Sequence, residues 1–170
     1  MRIAVYPGSF DPFTNGHKDI LERALVIFDK VIIAVVRNPG KKPLFTLSER
    51  VEIIRQSIEE SNRVHIDSFD GLLVNFMKSH RSNVLVKGLR AVSDFEFEFQ
   101  MALMNRKIDP AIETIFLMTS AEYAFLSSSR VREIAALGGP VSCFVSPFAE
   151  AKLKEKTCTK KPRGEIVEKE

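Results

Sequence analysis

Short apolar runs alternate along this chain with stretches whose apolar residues recur every three or four positions. Arg2 to Tyr6 and Val31 to Val36 are compact, rich in β-branched residues and bounded by Pro, Gly or Asn, the pattern of strands buried on both faces. Between them Ile20, Leu21, Ala24, Leu25 and Phe28 keep helical spacing, which predicts an amphipathic helix over Gly16 to Phe28 and makes the first unit βαβ. Thr46-Leu-Ser-Glu49 has capping-box spacing and starts a second helix through about residue 60, with Val51, Ile54 and Ile58 inward. Arg63 to Asp67 reads as a shorter strand and Asp70 as the cap of a third helix through His80. Asn83 to Lys87 and Ile112 to Met118 read as further strands. Strand and helix keep alternating, so the expected fold class is α/β: a doubly wound, Rossmann-like, five-stranded parallel sheet with helices on both faces.

Asp94 to Gln100 alternates like a strand but is read as helix. Ser93-Asp-Phe-Glu96 repeats the capping-box spacing, and Met101, Ala102, Leu103 and Met104 continue with good helix formers. On a helix, Phe95, Phe99 and Ala102 share one face while Phe97, Met101 and Met104 share another. A helix apolar on two faces must bury both, one on the sheet and the other on a second subunit or a second helix of the same chain. A fifth helix is expected from Ser128 to Leu137, ended by Gly138-Gly139, and a sixth over Pro147 to Lys156. The 170 residues, 45% hydrophobic and 28% charged, suit one domain over 1–156 with a polar tail over 157–170.

The longest apolar run is far short of the roughly 20 residues that a membrane span needs, and the N-terminus lacks a signal-type apolar segment. Membrane partners are not expected, and a cytoplasmic location is. Cys143 and Cys158 form no Cys-x-x-Cys pattern and His17, His65 and His80 are scattered, so spacing indicates neither a zinc site nor a disulfide framework. The net charge of +3 resides entirely in residues 152–170. The folded body is charge-balanced, which argues against a nucleic-acid partner.

Ligands of open α/β sheets bind beyond the carboxyl ends of the strands, and the polar sequences lie there. After the first strand, Gly8 allows close backbone approach and Asn15-Gly16-His17 opens a helix, whose free N–H groups attract an anion. His17, in that first turn, is a candidate donor to phosphate oxygens. After the fourth strand, Lys87-Gly88-Leu89-Arg90 places two cations around a glycine. After the fifth, Tyr123-Ala-Phe-Leu-Ser-Ser-Ser129 leads hydroxyls and amides into another helix start. Capping explains one of the three serines but not all.

Thr14-Asn15-Gly16-His17 matches the His/Thr-x-Gly-His signature of a nucleotidyltransferase superfamily. From about residue 2 to about 150 the chain resembles the bacterial phosphopantetheine adenylyltransferases. Four blocks carry the resemblance: Tyr-Pro-Gly-Ser-Phe-Asp-Pro at 6–12, Lys-Lys-Pro-Leu-Phe-Thr at 41–46, Lys-Gly-Leu-Arg-Ala at 87–91 and Phe-Leu-Ser-Ser-Ser at 125–129. The resemblance implies transfer of AMP from ATP to 4′-phosphopantetheine, giving dephospho-coenzyme A and pyrophosphate, in a hexamer. Such in-line displacement needs positioned donors and cations rather than a covalent intermediate.

By resemblance, His17 and Lys41 are catalytic, His17 stabilising the transition state and Lys41 neutralising phosphate charge. ATP is assigned to Ser9, Phe10, His17, Gly88, Leu89, Arg90, Glu98 and the run Tyr123, Ala124, Phe125, Leu126, Ser127, Ser128 and Ser129. The acceptor is assigned to Ser9, Lys41, Leu73 and Lys87, with Leu72 and Met104 as further candidates along the pantetheine arm. Many relatives carry arginine where this chain has Lys87, which keeps the charge without the bidentate fork. Mg²⁺ is expected as cofactor, held by phosphates and water because no carboxylate cluster is in view. The competing readings are a related enzyme with another acceptor, such as nicotinamide mononucleotide or glycerol phosphate, and a non-catalytic nucleotide-binding module.

Overall fold

The structure, a computed structural model, describes residues 1–37, 40, 42–90 and 92–158, the side chains of 92–94 and 158 excepted. Five parallel strands, β1 (Ile3–Gly8), β2 (Lys30–Val36), β3 (Val64–Phe69), β4 (Val84–Leu89) and β5 (Glu113–Met118), lie in the order β3-β2-β1-β4-β5. The helices are α1 (Asn15–Ile27), α2 (Leu47–Ser57), α3 (Leu73–Ser79), α4 (Val92–Ile108), α5 (Ser128–Ala136) and α6 (Pro147–Cys158). This is the expected doubly wound, Rossmann-like sheet.

Side chains alternate across a strand, and the two faces collect different partners. Tyr6, Ile33, Val35 and Val86 face a core with Ile20 and Ala24 of α1, Ile54 of α2, Val131 of α5 and Leu153 of α6. Val5, Ile32, Ala34 and Leu85 face a smaller core with Val74, Phe76 and Met77 of α3. On that second face α4 leans on β5 through Phe95, whose ring lies 6.0 Å from Phe116.

Some local expectations are corrected. Asp70 does not cap α3: the helix begins at Leu73, Leu72 is its N-cap, and no side chain bonds there. The preceding turn, with Gly71 at a φ of +93°, carries the chain past Asp70 before the helix starts. Ser93 is not an N-cap either, because α4 already begins at Val92. Val51 and Ile54 of α2 and its C-cap Ile58 face the core as expected, with Ile53 and Arg50 buried beside them. α6 runs to Cys158, so Thr157 and Cys158 of the predicted tail are helical; residues 159–170 lie outside the described residues. Among the described residues no helix is long and apolar enough to cross a membrane.

The register of the central strands positions the site. β1 follows β2 up to Gly8↔Val35, and β4 follows β5 up to Leu89↔Met118. β1 and β4 pair only at Ala4↔Val84 and Val5↔Leu85. Where the strand order reverses, the two strands therefore part toward their carboxyl ends and leave the crevice in which doubly wound folds bind ligands.

Candidate active site

The loop leaving β1 is buried and cross-tied. Phe10 has a φ of +47°, a conformation that costs a bulky residue about 1–3 kcal/mol, and its ring is buried against Tyr6, Phe13 and His17 at centroid distances of 5.3, 5.7 and 5.1 Å. The same ring gives Gly8 a packing reason: a Cβ there would sit 2.7 Å from Phe10 Cζ. Asp11, its side chain 6% exposed, accepts the Leu44 and Phe45 amides at 2.9 Å each and pairs with Arg132 at 3.2 Å. Arg132 also donates to the Asp11 carbonyl, and Ser128 Oγ donates to Pro12 O at 2.8 Å. From α2, Arg50 donates to Ser9 O at 2.6 Å and Val36 O at 3.0 Å. The first loop is thus fastened to β2, α2 and α5.

At the start of α1 the capping box uses a histidine. Thr14 Oγ1 accepts from His17 N–H, and the Thr14 backbone N–H donates to His17 Nδ1 at 3.0 Å. An amide N–H can only donate, so Nδ1 holds the lone pair and the proton of the neutral ring is on Nε2. Burial, helped by the nearby Arg90 charge, lowers the His17 pKa to about 3. The imidazole is therefore neutral at physiological pH, with Nε2–H as its donor.

The segment after β5 lies against this helix start. Asp19 of α1 accepts from the Ser120 amide at 2.9 Å and the Ser120 hydroxyl at 2.6 Å, and a Cβ on Gly16 would lie 3.4 Å from Tyr123 Cβ. Ser127 is the N-cap of α5, accepting from Arg130 N–H. Ser128 gives its proton to Pro12, and Ser129 Oγ accepts from Arg132 at 3.4 Å. Leu126 is buried and its carbonyl accepts from Arg90 at 2.9 Å, whereas Phe125 is exposed and meets Phe144 edge-on. Tyr123 and Ala124 close a single 3₁₀ turn at Ala121–Tyr123. Two helix N-termini, those of α1 and α5, so lie side by side; the Asn15, His17 and Arg130 amides are capped, and each end carries the positive pole of its helix dipole.

The fourth-strand block is corrected in one respect. β4 extends through Leu89, because its ladder to β5 continues, so Lys87, Gly88 and Leu89 are strand residues and only Arg90 lies beyond. Gly88 serves packing: a Cβ there would stand 2.8 Å from Ile20 Cγ1 of α1. Lys87 shares the second face with Leu85 and forms a 3.1 Å ion pair with Glu98 of α4. Sequence reasoning assigned these two residues to different substrates; the fold sets them against each other. Leu73 packs at the margin of the second core, and Leu72 and Met104 are exposed on the same side. Lys41 lies outside the described residues.

Arg50 and Asp11 were missed as site-supporting residues. Nothing local in the sequence marks Arg50, and its 3% exposure and its bonds to Ser9 O and Val36 O reveal the role. The carboxylates near the crevice are already engaged: Asp11 with amides and Arg132, Asp19 with Ser120 and Arg23, Glu98 with Lys87. The side chains described here do not form a Mg²⁺ ligand set.

A switch-point crevice flanked by two helix N-termini and a neutral, oriented histidine belongs to the nucleotidyltransferase class. A family model described as cytidylyltransferase-like matches residues 5–134. Relatives named phosphopantetheine adenylyltransferase are 56% identical over 156 residues in Carboxydothermus hydrogenoformans (92% of this chain, 96% of the relative) and 51% identical over 159 residues in Azoarcus sp. (94% and 98%). The chain belongs to the phosphopantetheine adenylyltransferase family. Among solved structures, a nicotinate-nucleotide adenylyltransferase from Vibrio parahaemolyticus matches at a TM-score of 0.63 and 19% identity, covering 95% of this chain and 98% of that one. The Plasmodium falciparum nicotinic acid mononucleotide adenylyltransferase complexed with NaAD matches at 0.68 and 16%, covering 91% and 95%. At such identities these two show a shared fold.

Proposed function

We propose that this enzyme transfers AMP from ATP to 4′-phosphopantetheine, releasing pyrophosphate and dephospho-coenzyme A, with the phosphates meeting in the crevice between β1 and β4. The observation that carries the chemistry is the Thr14 N–H to His17 Nδ1 bond, which leaves Nε2–H as a neutral donor for the α-phosphate. Charge accumulates on that phosphate as the acceptor oxygen attacks in line, so a fixed donor lowers the barrier without itself exchanging a proton.

Nucleotide phosphates lie along the α1 and α5 N-termini, within reach of Ser129 and Arg90, and Tyr123 to Leu126 border the nucleoside. Ser9, held through its carbonyl by Arg50, presents its hydroxyl to the acceptor phosphate. Lys87 and Lys41 supply charge to that phosphate, and Leu73 borders the pantetheine arm. Lys87 reaches the ligand by exchanging its bond to Glu98, which frees that carboxylate for the nucleotide. Mg²⁺ would be held by the ATP phosphates and water rather than by these side chains, and there it would supply charge neutralisation for the pyrophosphate leaving group.

We further propose one domain over 1–158, a polar tail beyond it, a cytoplasmic location and a homo-oligomer, for which the resemblance implies six subunits. Support for assembly comes from α4, where Phe97 is 63% and Met104 57% exposed on an otherwise uncovered side. The deciding experiment is pyrophosphate release with ATP and Mg²⁺, offering 4′-phosphopantetheine, nicotinamide mononucleotide or glycerol phosphate, the last with CTP as well. Release with 4′-phosphopantetheine alone is the expected result. Preference for another acceptor overturns the substrate, and no release with any overturns the activity.

A further inference from the structure

We propose that His65, Asp67 and His80 form a site for one divalent transition-metal ion of the Zn²⁺ kind, on the second face of the sheet at its β3 edge. Their separation in sequence gave no metal-binding spacing. His65 and Asp67 stand two apart on β3 and so point the same way, while His80 follows α3 and returns over them. One ligand atom from each lies within 4.8 Å of the others, a span that small side-chain adjustments bring to about 2.0–2.2 Å from a single ion.

The hydrogen bonding of His80 favours an ion. Its Nδ1 is 3.0 Å from the Phe76 carbonyl oxygen and 3.1 Å from Ser79 Oγ, whose own hydroxyl donates to that carbonyl at 2.8 Å. A carbonyl only accepts, so Nδ1 carries a proton. In the neutral ring the Nε2 lone pair then faces Asp67 Oδ2 at 3.1 Å, and two acceptors in contact repel unless positive charge lies between them. That charge is either a second ring proton or a metal ion. Donation of the far N–H to a carbonyl is the device that orients metal-binding histidines. His65, with its ring centroid 6.2 Å from that of His80, adds a third ligand that a simple ion pair does not require. Asp67 Oδ1 is engaged by the Ser68 amide at 2.7 Å, leaving Oδ2 for the ion. Two imidazoles and one carboxylate suit Zn²⁺, Co²⁺ or Ni²⁺ better than Mg²⁺, so this site is independent of the cation that accompanies ATP. Occupied, it ties the edge strand to the end of α3.

The test is equilibrium dialysis of chelator-treated full-length protein with Zn²⁺, alongside visible absorption on adding Co²⁺ and thermal unfolding with and without Zn²⁺. One ion per chain is expected, with a higher unfolding temperature because the ion binds only the folded state. His65→Ala and His80→Ala should each weaken Zn²⁺ binding by at least about tenfold and remove the thermal shift. Asp67→Asn is the near-isosteric check should an alanine variant fold poorly, and Cys143→Ser should change nothing. Sub-stoichiometric binding overturns the proposal, as does binding that survives in all three triad variants or disappears with Cys143.

Discussion

On the first face of the sheet four helices close over one core, and the loops at its rim are tied to one another; on the second face α3 and α4 leave Leu72, Phe97 and Met104 in solvent. The loop after β1 is held by Arg50, Arg132 and Ser128, each bonding its backbone. Across the sheet Lys87 has only the opposing Glu98 as its ion-pair partner among the described residues. The difference teaches where preorganisation has been placed. The face that carries His17 and the starts of α1 and α5 is held in place by the chain's own side chains, whereas the second face keeps apolar side chains of α3 and α4 in solvent.

The sharpest way to break the comparison is to loosen the tied loop. Asp11→Ala removes the acceptor of two amides and uncovers Arg132, and should cost about 3 kcal/mol in urea unfolding, the low end for a broken buried pair because Arg132 can turn to solvent. A loss below 1 kcal/mol would mean that the loop is not held there. Next, His17→Ala should lower turnover by roughly 100-fold, about 2.7 kcal/mol of transition-state stabilisation, with ATP affinity little changed. Near-normal turnover with weakened ATP binding would assign His17 to binding instead.

On the second face, Phe97→Asp should weaken subunit association by more than about tenfold, since the interface would bury an unpaired charge. Truncation after Cys158 should leave the assembly intact. Light scattering distinguishes these outcomes, and a monodisperse wild-type monomer would remove the role given to α4. Lys87→Ala should raise the KM for 4′-phosphopantetheine by about tenfold, the worth of one charge-assisted hydrogen bond, while the KM for ATP stays within twofold. A selective effect on ATP would move Lys87 to the nucleotide side.

Acidification tests the burial of His17 directly. His17 titrates near 3 in the folded chain and near 6.5 when unfolded, so between those values the unfolded state binds the extra proton. Its contribution to stability is present above about pH 6.5 and is lost as pH falls toward 3. Urea midpoints of wild type and His17→Gln should therefore converge on acidification through that window, and parallel curves would show that His17 is not buried as a neutral ring.

Element types were legible wherever packing follows local pattern: the apolar runs became buried strands, and Thr46 and Glu49 formed the predicted capping box. Thr14 and His17 form another that no Ser/Thr-x-x-Glu spacing reveals, because the partner at the third position is an imidazole. Asp70 failed as a cap since many aspartates precede helices without bonding to them, and the turn at Gly71 decides where the chain enters α3. At Gly8 and Gly88 the structure adds a packing reason that the sequence does not show, because a Cβ at either position would meet the side chain of Phe10 or Ile20.

Local pattern was enough for the alternation of strand and helix, the doubly wound class and the motif residues at the carboxyl edge. All of these depend on neighbours a few positions away or on whole blocks kept together. The separation of β1 from β4, the burial of Arg50, the pairing of Lys87 with Glu98 and the meeting of His65, Asp67 and His80 emerge only once the chain is folded. Each depends on which segments a sheet register and its crossovers bring together, and a charged or polar side chain carries no local sign of the partner it will meet across that distance.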